Sequence, residues 1–322
     1  EKKQMYYSML GYWLGVINKY KPEAIIFPAI PHNVYNHIIY TLAGMLNIKT
    51  IMFEYTNIFD RLLLYEDWGK GSIKLQDRIQ NNQNKRFSIK DLSSDIQRYY
   101  ELQTNSKKDA TPTYTKYYKL ENSGFRLLER KLKVIIDSVK DGTILKKAPH
   151  FIINKFKPNL KKDYLKLQIK PDLEKKFVYV PLNFQPERTT SPQGDMFYDQ
   201  VLMIETLAYS LPKDWVIYVK EHPSQWMFKS KTNYSNFRYK GYYEKIAKLR
   251  NVFLIPTNAD TYTLINKSRA VATVAGTAGW EAVLRQKPVF IFGYVWYRDC
   301  PGLFKANDVI SCKEAFEKII GN

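Results

Sequence analysis

A chain of 322 residues can build two domains, each with its own core, and its 45% hydrophobic and 15% aromatic content excludes a disordered polymer. No apolar run reaches the roughly 18 residues that a membrane-spanning helix needs, and the two cysteines, Cys300 and Cys312, exclude a disulfide framework and fit a reducing cytoplasm. The formal charge of +19 has two readings, basic drift spread over the surface or a polyanionic partner: nucleotide-sugar phosphate, acidic polysaccharide, anionic lipid or nucleic acid. No RNP, zinc-finger or helix-turn-helix signature accompanies the charge, so nucleic acid is set aside.

Residues 5–20 carry apolar and aromatic side chains at helical spacing, and Lys21-Pro22 ends that helix. Starting on Glu1 without a methionine, the chain reads as a fragment or a processed form. Ala24–Ile30 (AIIFPAI) suits a buried strand, Pro31-His32-Asn33 a turn, Val34–Leu46 a helix and Ile48–Tyr55 a second strand with Glu54 near its end. Alternation at this pitch predicts an α/β domain with a parallel sheet. From about Tyr65 to Lys170 helical periodicity continues without strands, over Asp91–Leu102 and Gly124–Val139, so a mainly helical insertion is expected at about 66–170. Its tyrosines, Tyr99, Tyr100, Tyr114, Tyr117 and Tyr118, are either core or a sugar-stacking surface. The basic stretch from Lys146 to Lys176 is either a solvated linker or a helix that touches an anionic membrane. Lys155–Lys176 reads as the connection between an N-terminal domain, 1–170, and a C-terminal domain, 171–322.

The second half alternates strictly: strand Phe177–Leu182, helix from about Asp195 to Ser210, strand Trp215–Lys220, strand Asn251–Pro256 and helix Asp260–Lys267. Strand Ala270–Val274, helix Thr277–Arg285, strand Pro288–Phe292 and helix Lys313–Ile320 complete it. Three strand ends carry polar clusters, and in an open parallel sheet the crevice beyond the strand carboxyl ends is where ligands bind. Gly276-Thr277-Ala278-Gly279-Trp280-Glu281 joins a strand to a helix, where glycines let a phosphate approach backbone N–H groups. Thr277 adds a hydroxyl, and Glu281, one turn on, can accept hydrogen bonds from ribose; a plain glycine-eased turn with a solvent-facing glutamate is the alternative. Lys220-Glu221-His222-Pro223 brings an imidazole that can donate to the phosphate of a leaving group. Gln185-Pro186-Glu187 presents two side chains suited to a base, sugar or carboxylate, unless Glu187 merely pairs with Arg188.

In the first half His32, His37, Glu54, Asp60 and Arg61 gather near two strand ends. Glu54 is the candidate general base, because a carboxylate on the lip of an apolar strand has a raised pKa; His32 is second, and a plain Glu54–Arg61 ion pair is the alternative. No HExxH, cysteine pair at ligand spacing or Asp-x-Asp is present, so no metal is expected.

QPE after one strand, KEHP after the next, and GTAGWEA followed by KPVFIFG together resemble the bacterial capsule polysaccharide biosynthesis glycosyltransferases, a family that includes transferases for Kdo, an eight-carbon acidic sugar. The resemblance is close over Phe177–Gly293 and only topological over residues 1–65. It implies a GT-B architecture: two Rossmann-like domains facing a cleft, a CMP-activated ulosonic acid as donor, a glycan or lipid-linked glycan as acceptor, and no metal or other cofactor. It further implies a donor site of Gln185 and Glu187, a CMP phosphate held by His222, a phosphate turn of Gly276, Thr277 and Gly279, and ribose on Glu281. The catalytic carboxylate of the N-terminal domain is assigned to Glu54 by position. A cytoplasmic enzyme peripheral to the inner face of the plasma membrane is the expected setting. A UDP-sugar transferase or epimerase, and a non-catalytic polyanion-binding module, are the alternatives.

Overall fold

The computed structural model describes residues 1–105, 117, 120, 123–145, 147–149, 158–226 and 233–321. Helix α1 (Lys2–Tyr20) ends where Lys21 turns left-handed and donates its N–H to Ile17 O, with Pro22 blocking another turn. Its Ile17 packs on Ile38 and Leu42 of α2 (Val34–Met45). Between them runs β1 (Ala24–Phe27), parallel to β2 (Lys49–Tyr55) in the register Ala24↔Lys49 to Phe27↔Met52. The strand expected to reach Ile30 stops at Phe27, because Pro28 has no N–H to give to a ladder. A third strand, β3 (Leu62–Tyr65), which the sequence did not suggest, pairs antiparallel with β2. The N-terminal sheet is therefore three strands in the order β1-β2-β3.

The region after Tyr65 is helical as expected, with α3 (Ile73–Gln80), α4 (Ser94–Thr104), α5 (Gly124–Lys140) and α6 (Leu160–Leu167) and no strand among the described residues. Tyr99 is core, Tyr117 is exposed, and Tyr114 and Tyr118 lie outside the described residues, as do Lys146 and residues 150–157 of the basic stretch. The expected domain boundary at 170/171 shifts upstream. Leu160 and Tyr164 of α6 are buried in the C-terminal core, and Ile169 N–H donates to Leu254 O at 2.8 Å. Residues read as a connection are thus part of the second unit, because their two apolar side chains have that core to bury against.

The C-terminal unit is built from β4 (Lys176–Pro181), α7 (Gln200–Ser210), β5 (Trp215–Lys220), α8 (Tyr242–Ala247), β6 (Val252–Leu254) and α9 (Thr261–Lys267). It continues with β7 (Ala270–Thr273), α10 (Thr277–Val283), β8 (Val289–Ile291), β9 (Leu303–Lys305) and α11 (Val309–Gly321). Six strands pair in the order β6-β5-β4-β7-β8-β9, all parallel. Every residue of β5 is buried, as a strand covered on both faces requires. Helix α7 begins at Gln200, capped by Asp199 accepting from Val201 N–H, with a short 3₁₀ turn at Asp195–Tyr198 where the helix was expected to start. Helix α11 closes one face by setting Phe316 against Trp215 and Phe290. The fold is α/β: a three-stranded and a six-stranded sheet, with helices inserted after the first sheet.

Candidate functional site

The strand order places the site. From β4 the chain moves outward to β5 and β6, then returns to β7 on the other side of β4 and continues to β8 and β9. The crevice between β4 and β7 is the topological switch point, where connections leave in opposite directions and a ligand finds room beyond the strand ends. The loops that follow β4, β5 and β7 are those that begin with Leu182, Glu221 and Val274, so the three polar clusters of the sequence share one edge.

A buried polar network fixes these loops. Arg238 and Glu221 are both fully buried, and Arg238 Nε donates to Glu221 Oε2 at 2.8 Å. Tyr243 Oη donates to the same oxygen at 2.6 Å, and His222 N–H to Oε1 at 2.7 Å. Burial alone favours loss of the Arg238 proton, yet the Glu221 charge beside it holds the guanidinium protonated. Arg238 also donates to Gln185 Oε1 and, at 3.1 Å, to Asn183 O. Gln200 Nε2 reaches Gln185 Oε1 at 2.8 Å, while Gln185 Nε2 donates to Tyr198 O at 2.8 Å. Gln185 is only 2% exposed, with both ends of its amide engaged. Its expected place in contact with a donor is corrected accordingly: it shapes the loop from below. Its neighbour Glu187 is exposed and accepts from Thr189 Oγ1 at 3.0 Å.

Arg188 does not pair with Glu187, nor Glu54 with Arg61. Arg188 Nη1 donates to Glu54 Oε2 at 2.7 Å across the two units, and Arg61 instead pairs with Asp95. The period-two alternation of β2 turns Glu54 to the same buried side as Thr50 and Met52, leaving it 3% exposed. Burial pushes its carboxyl above the usual carboxylate range, and the Arg188 charge pulls it part of the way back. Glu54 thus faces inward, not onto a solvent lip. His32 lies exposed on the turn after β1, its Nδ1–H donated to Ile30 O at 2.8 Å.

His222 is half-buried beside Phe184, 5.8 Å between ring centres. Its Nδ1 accepts the Ser224 N–H at 3.2 Å, so the neutral ring carries its proton on Nε2. Burial lowers its pKa, with the Glu221 charge opposing. A neutral imidazole that donates from Nε2 suits an anionic oxygen.

On β7, Thr273 Oγ1 accepts the Gly276 N–H at 3.1 Å and donates to Asn183 Oδ1 at 3.1 Å, stitching the β7 loop to the β4 loop. The glycines of this turn have a packing reason. A Cβ on Gly276 would stand 2.7 Å from Thr273 Oγ1, and one on Gly279 would stand 2.5 Å from the Tyr297 hydroxyl, which donates to Gly276 O at 2.6 Å. Thr277 is exposed at the start of α10. Glu281 accepts from Tyr262 Oη at 3.5 Å and its charge is felt by Lys220, so it lies toward β5.

Sequence reasoning named Arg188 only as a partner for Glu187, and missed Arg238, Asn183 and the surface joining the units. Trp280 Nε1 donates to Tyr99 Oη at 2.9 Å, Arg285 Nη2 to Gln103 O at 2.6 Å, and Arg298 to Gly69 O and Lys70 O at 2.7 and 2.6 Å. Trp280 on α10 and Arg285 just past its end stand five residues apart, but nothing local in the sequence shows that helix α4 meets both.

Residues 173–318 match the profile of the family described as capsule polysaccharide biosynthesis protein. That match covers the C-terminal unit and leaves residues 1–172 outside it. A search of the curated proteins gives no match. Among solved structures, the Thermosulfurimonas dismutans KpsC beta Kdo 2,7 transferase is 12% identical, with a TM-score of 0.36, over 88% of this chain and 69% of that one. The KpsC beta Kdo 2,4 transferase of the same organism is 14% identical, TM-score 0.36, over 91% and 78%. The UDP-GlcNAc 2-epimerase of Methanocaldococcus jannaschii is 13% identical, TM-score 0.35, over 100% and 77%. Likeness at this level supports no assignment of donor or reaction. The matched residues contain the whole switch-point edge, from Asn183 through His222 to Glu281. No helix among the described residues is long and apolar enough to cross a membrane.

Proposed function

We propose that this chain is a glycosyltransferase of capsule or other surface polysaccharide synthesis. It moves an acidic ulosonic sugar, Kdo or a similar one, from a CMP-activated donor to a glycan or glycolipid acceptor on the cytoplasmic side of the membrane. The observation that carries this reading is that His222 and the Gly276–Glu281 turn lie beyond the carboxyl ends of β5 and β7, on either side of β4, within the residues that match the capsule profile.

In this reading His222 faces the donor phosphate. As the bond between C2 of the sugar and the CMP oxygen breaks, negative charge grows on that phosphate, and the His222 Nε2–H meets it by hydrogen bonding. With the leaving group stabilised this way, the reaction runs without a metal. Thr277 supplies a hydroxyl to the phosphate, Glu281 accepts from the ribose, and exposed Glu187 lines the donor pocket, while Gln185 holds its loop in shape. Glu54 acts on the acceptor side. It takes the proton of the attacking hydroxyl in an inverting reaction, or attacks C2 itself in a retaining one. Because Glu54 is buried and held by Arg188, either role requires the guanidinium to exchange partners, and the carboxylate of an acidic donor sugar offers it one.

Thermal stability in the presence of CMP, UDP, GDP and dTDP, each with EDTA and with Mg²⁺, tests the donor assignment, since a ligand that binds only the native state raises the melting temperature. A rise with CMP that EDTA does not abolish and that is lost in His222→Ala is expected. A rise with UDP alone keeps the nucleotide site and overturns the donor; no rise with any of the four overturns the reading.

A further inference from the structure

The helix α5 presents a face that the proposed transferase chemistry does not use. Over Gly124–Lys140 the residues Phe125, Leu128, Leu132, Ile135, Ile136 and Val139 recur at three- and four-residue steps, which places them on one stripe of a helix. All six are exposed, Phe125 by 79% and none by less than 50%. A shallow hollow of ≈ 420 Å³ lies along this stripe, with Glu129, Lys133, Asp137 and Lys140 on its margin. Ser138 is the one buried residue of α5 among those described, and it accepts a hydrogen bond from Lys147 Nζ at 3.2 Å.

Charge selects the occupant. The helix carries Arg126, Arg130, Lys131, Lys133 and Lys140 against only Glu129 and Asp137. By helical projection Lys133 and Lys140 flank the apolar stripe on one side and Lys131 on the other, while Arg126 and Arg130 lie behind it. Long basic side chains that border an apolar stripe extend their charges outward while their stems stay with the apolar surface. That pattern is complementary to an interface which is apolar inside and negatively charged at its surface. At about 25 Å the helix is long enough to lie in the plane of such an interface.

We propose that α5 is a membrane-surface anchor that lies on anionic phospholipid with its Phe125–Val139 stripe among the acyl chains and its lysines among the headgroups. The inference is independent of the donor assignment, because it concerns a helix outside the switch-point edge. It gives the protein's positive charge one definite place of action, and it would hold the cleft beside a lipid-linked acceptor.

Co-sedimentation of the whole chain with vesicles tests it. Vesicles of phosphatidylcholine with about 30% phosphatidylglycerol are expected to bind roughly tenfold more protein than pure phosphatidylcholine, and less as salt rises. The double variant Leu128→Gln/Leu132→Gln is expected to lose that binding while keeping the wild-type melting temperature and nucleotide shift, since both side chains are exposed and distant in sequence from the switch-point loops. Lys131→Glu/Lys133→Glu is expected to remove the preference for anionic lipid. Equal binding of wild type and Leu128→Gln/Leu132→Gln, or no binding to anionic vesicles at all, would overturn the proposal. So would a wild-type dimer in light scattering that the leucine variant converts to monomer, which would assign the stripe to a second copy of the chain.

Discussion

Lys220 holds an ammonium group where only 4% of the residue meets solvent, donating to Ala259 O at 2.9 Å and to Thr261 Oγ1 at 2.6 Å. Burial lowers its pKa from 10.5 to about 8, with the charges of Asp260 and Glu281 opposing. Across that window the unfolded chain binds more protons than the native one, so the contribution of Lys220 to stability rises with pH and is least favourable below about 8. Urea denaturation between pH 8 and 10 should show wild type gaining on Lys220→Met by up to about 1.4 kcal/mol per pH unit; parallel curves would mean that the ammonium titrates normally. Arg238 is a harder case, because its removal strands Glu221 as a buried, unpaired carboxylate. Arg238→Ala is expected to cost about 3–5 kcal/mol in the same assay. A loss below about 1 kcal/mol would mean that Glu221 finds other compensation. KEHP was legible in the sequence as a motif, but its glutamate drew no assignment: nothing local tells that Arg238 reaches it.

At the scale of the element, α10 illustrates how a motif and its packing diverge. Gly279 in a helix costs about 1 kcal/mol relative to alanine by propensity alone. Against that gain, a Cβ there stands 2.5 Å from the Tyr297 hydroxyl and 3.1 Å from Thr273 Cγ2. Overpacking of this kind costs about 1–3 kcal/mol, with about another 1 kcal/mol when the Tyr297–Gly276 hydrogen bond is displaced. Gly279→Ala is therefore expected to lower stability, and Tyr297→Phe in the same chain to recover part of the loss by removing the clashing oxygen. Additive losses in the double-variant cycle would rule out this contact as the reason for the glycine. The strands tell a simpler story. Phe177–Leu182, Trp215–Lys220 and Pro288–Phe292 were readable from β-branched and aromatic runs, whereas Leu62–Tyr65 and Leu303–Lys305 were not, being three or four residues long and only partly buried.

At the scale of the whole molecule the Glu54–Arg188 pair links residues 134 positions apart across the two units. Burial sets the folded pKa of Glu54 above the ordinary 4.5, so the stability this carboxyl contributes is full below that pH and falls as pH rises through the raised value. Arg188→Ala removes the charge that limits the shift. The fall should extend to higher pH, with a loss of about 3–5 kcal/mol at neutral pH, and Glu54→Gln should restore most of it. Urea denaturation of the two variants and their combination across pH 4–8 reads this out. An Arg188→Ala curve that parallels wild type would show that Glu54 is not its partner in solution. The contacts of Trp280 and Arg285 dock helix α4 onto the second unit, and Arg298 holds the Gly69–Lys70 turn, so the insertion helps to join the two units.

The sequence by itself determined the α/β class, most strands of the second half and three polar clusters at strand ends, because each depends on local periodicity or on residues adjacent in the chain. It also held the alternation of β2 that buries Glu54, although the side facing the core could not be known before the sheet was docked. Only the tertiary structure decided that β4 lies between β5 and β7, that Gln185 serves Arg238 from beneath, and that Arg188 crosses to Glu54. Strand order and unit docking join residues tens to more than a hundred positions apart, and the energy of a buried charge is fixed by the partner that arrives from elsewhere in the chain.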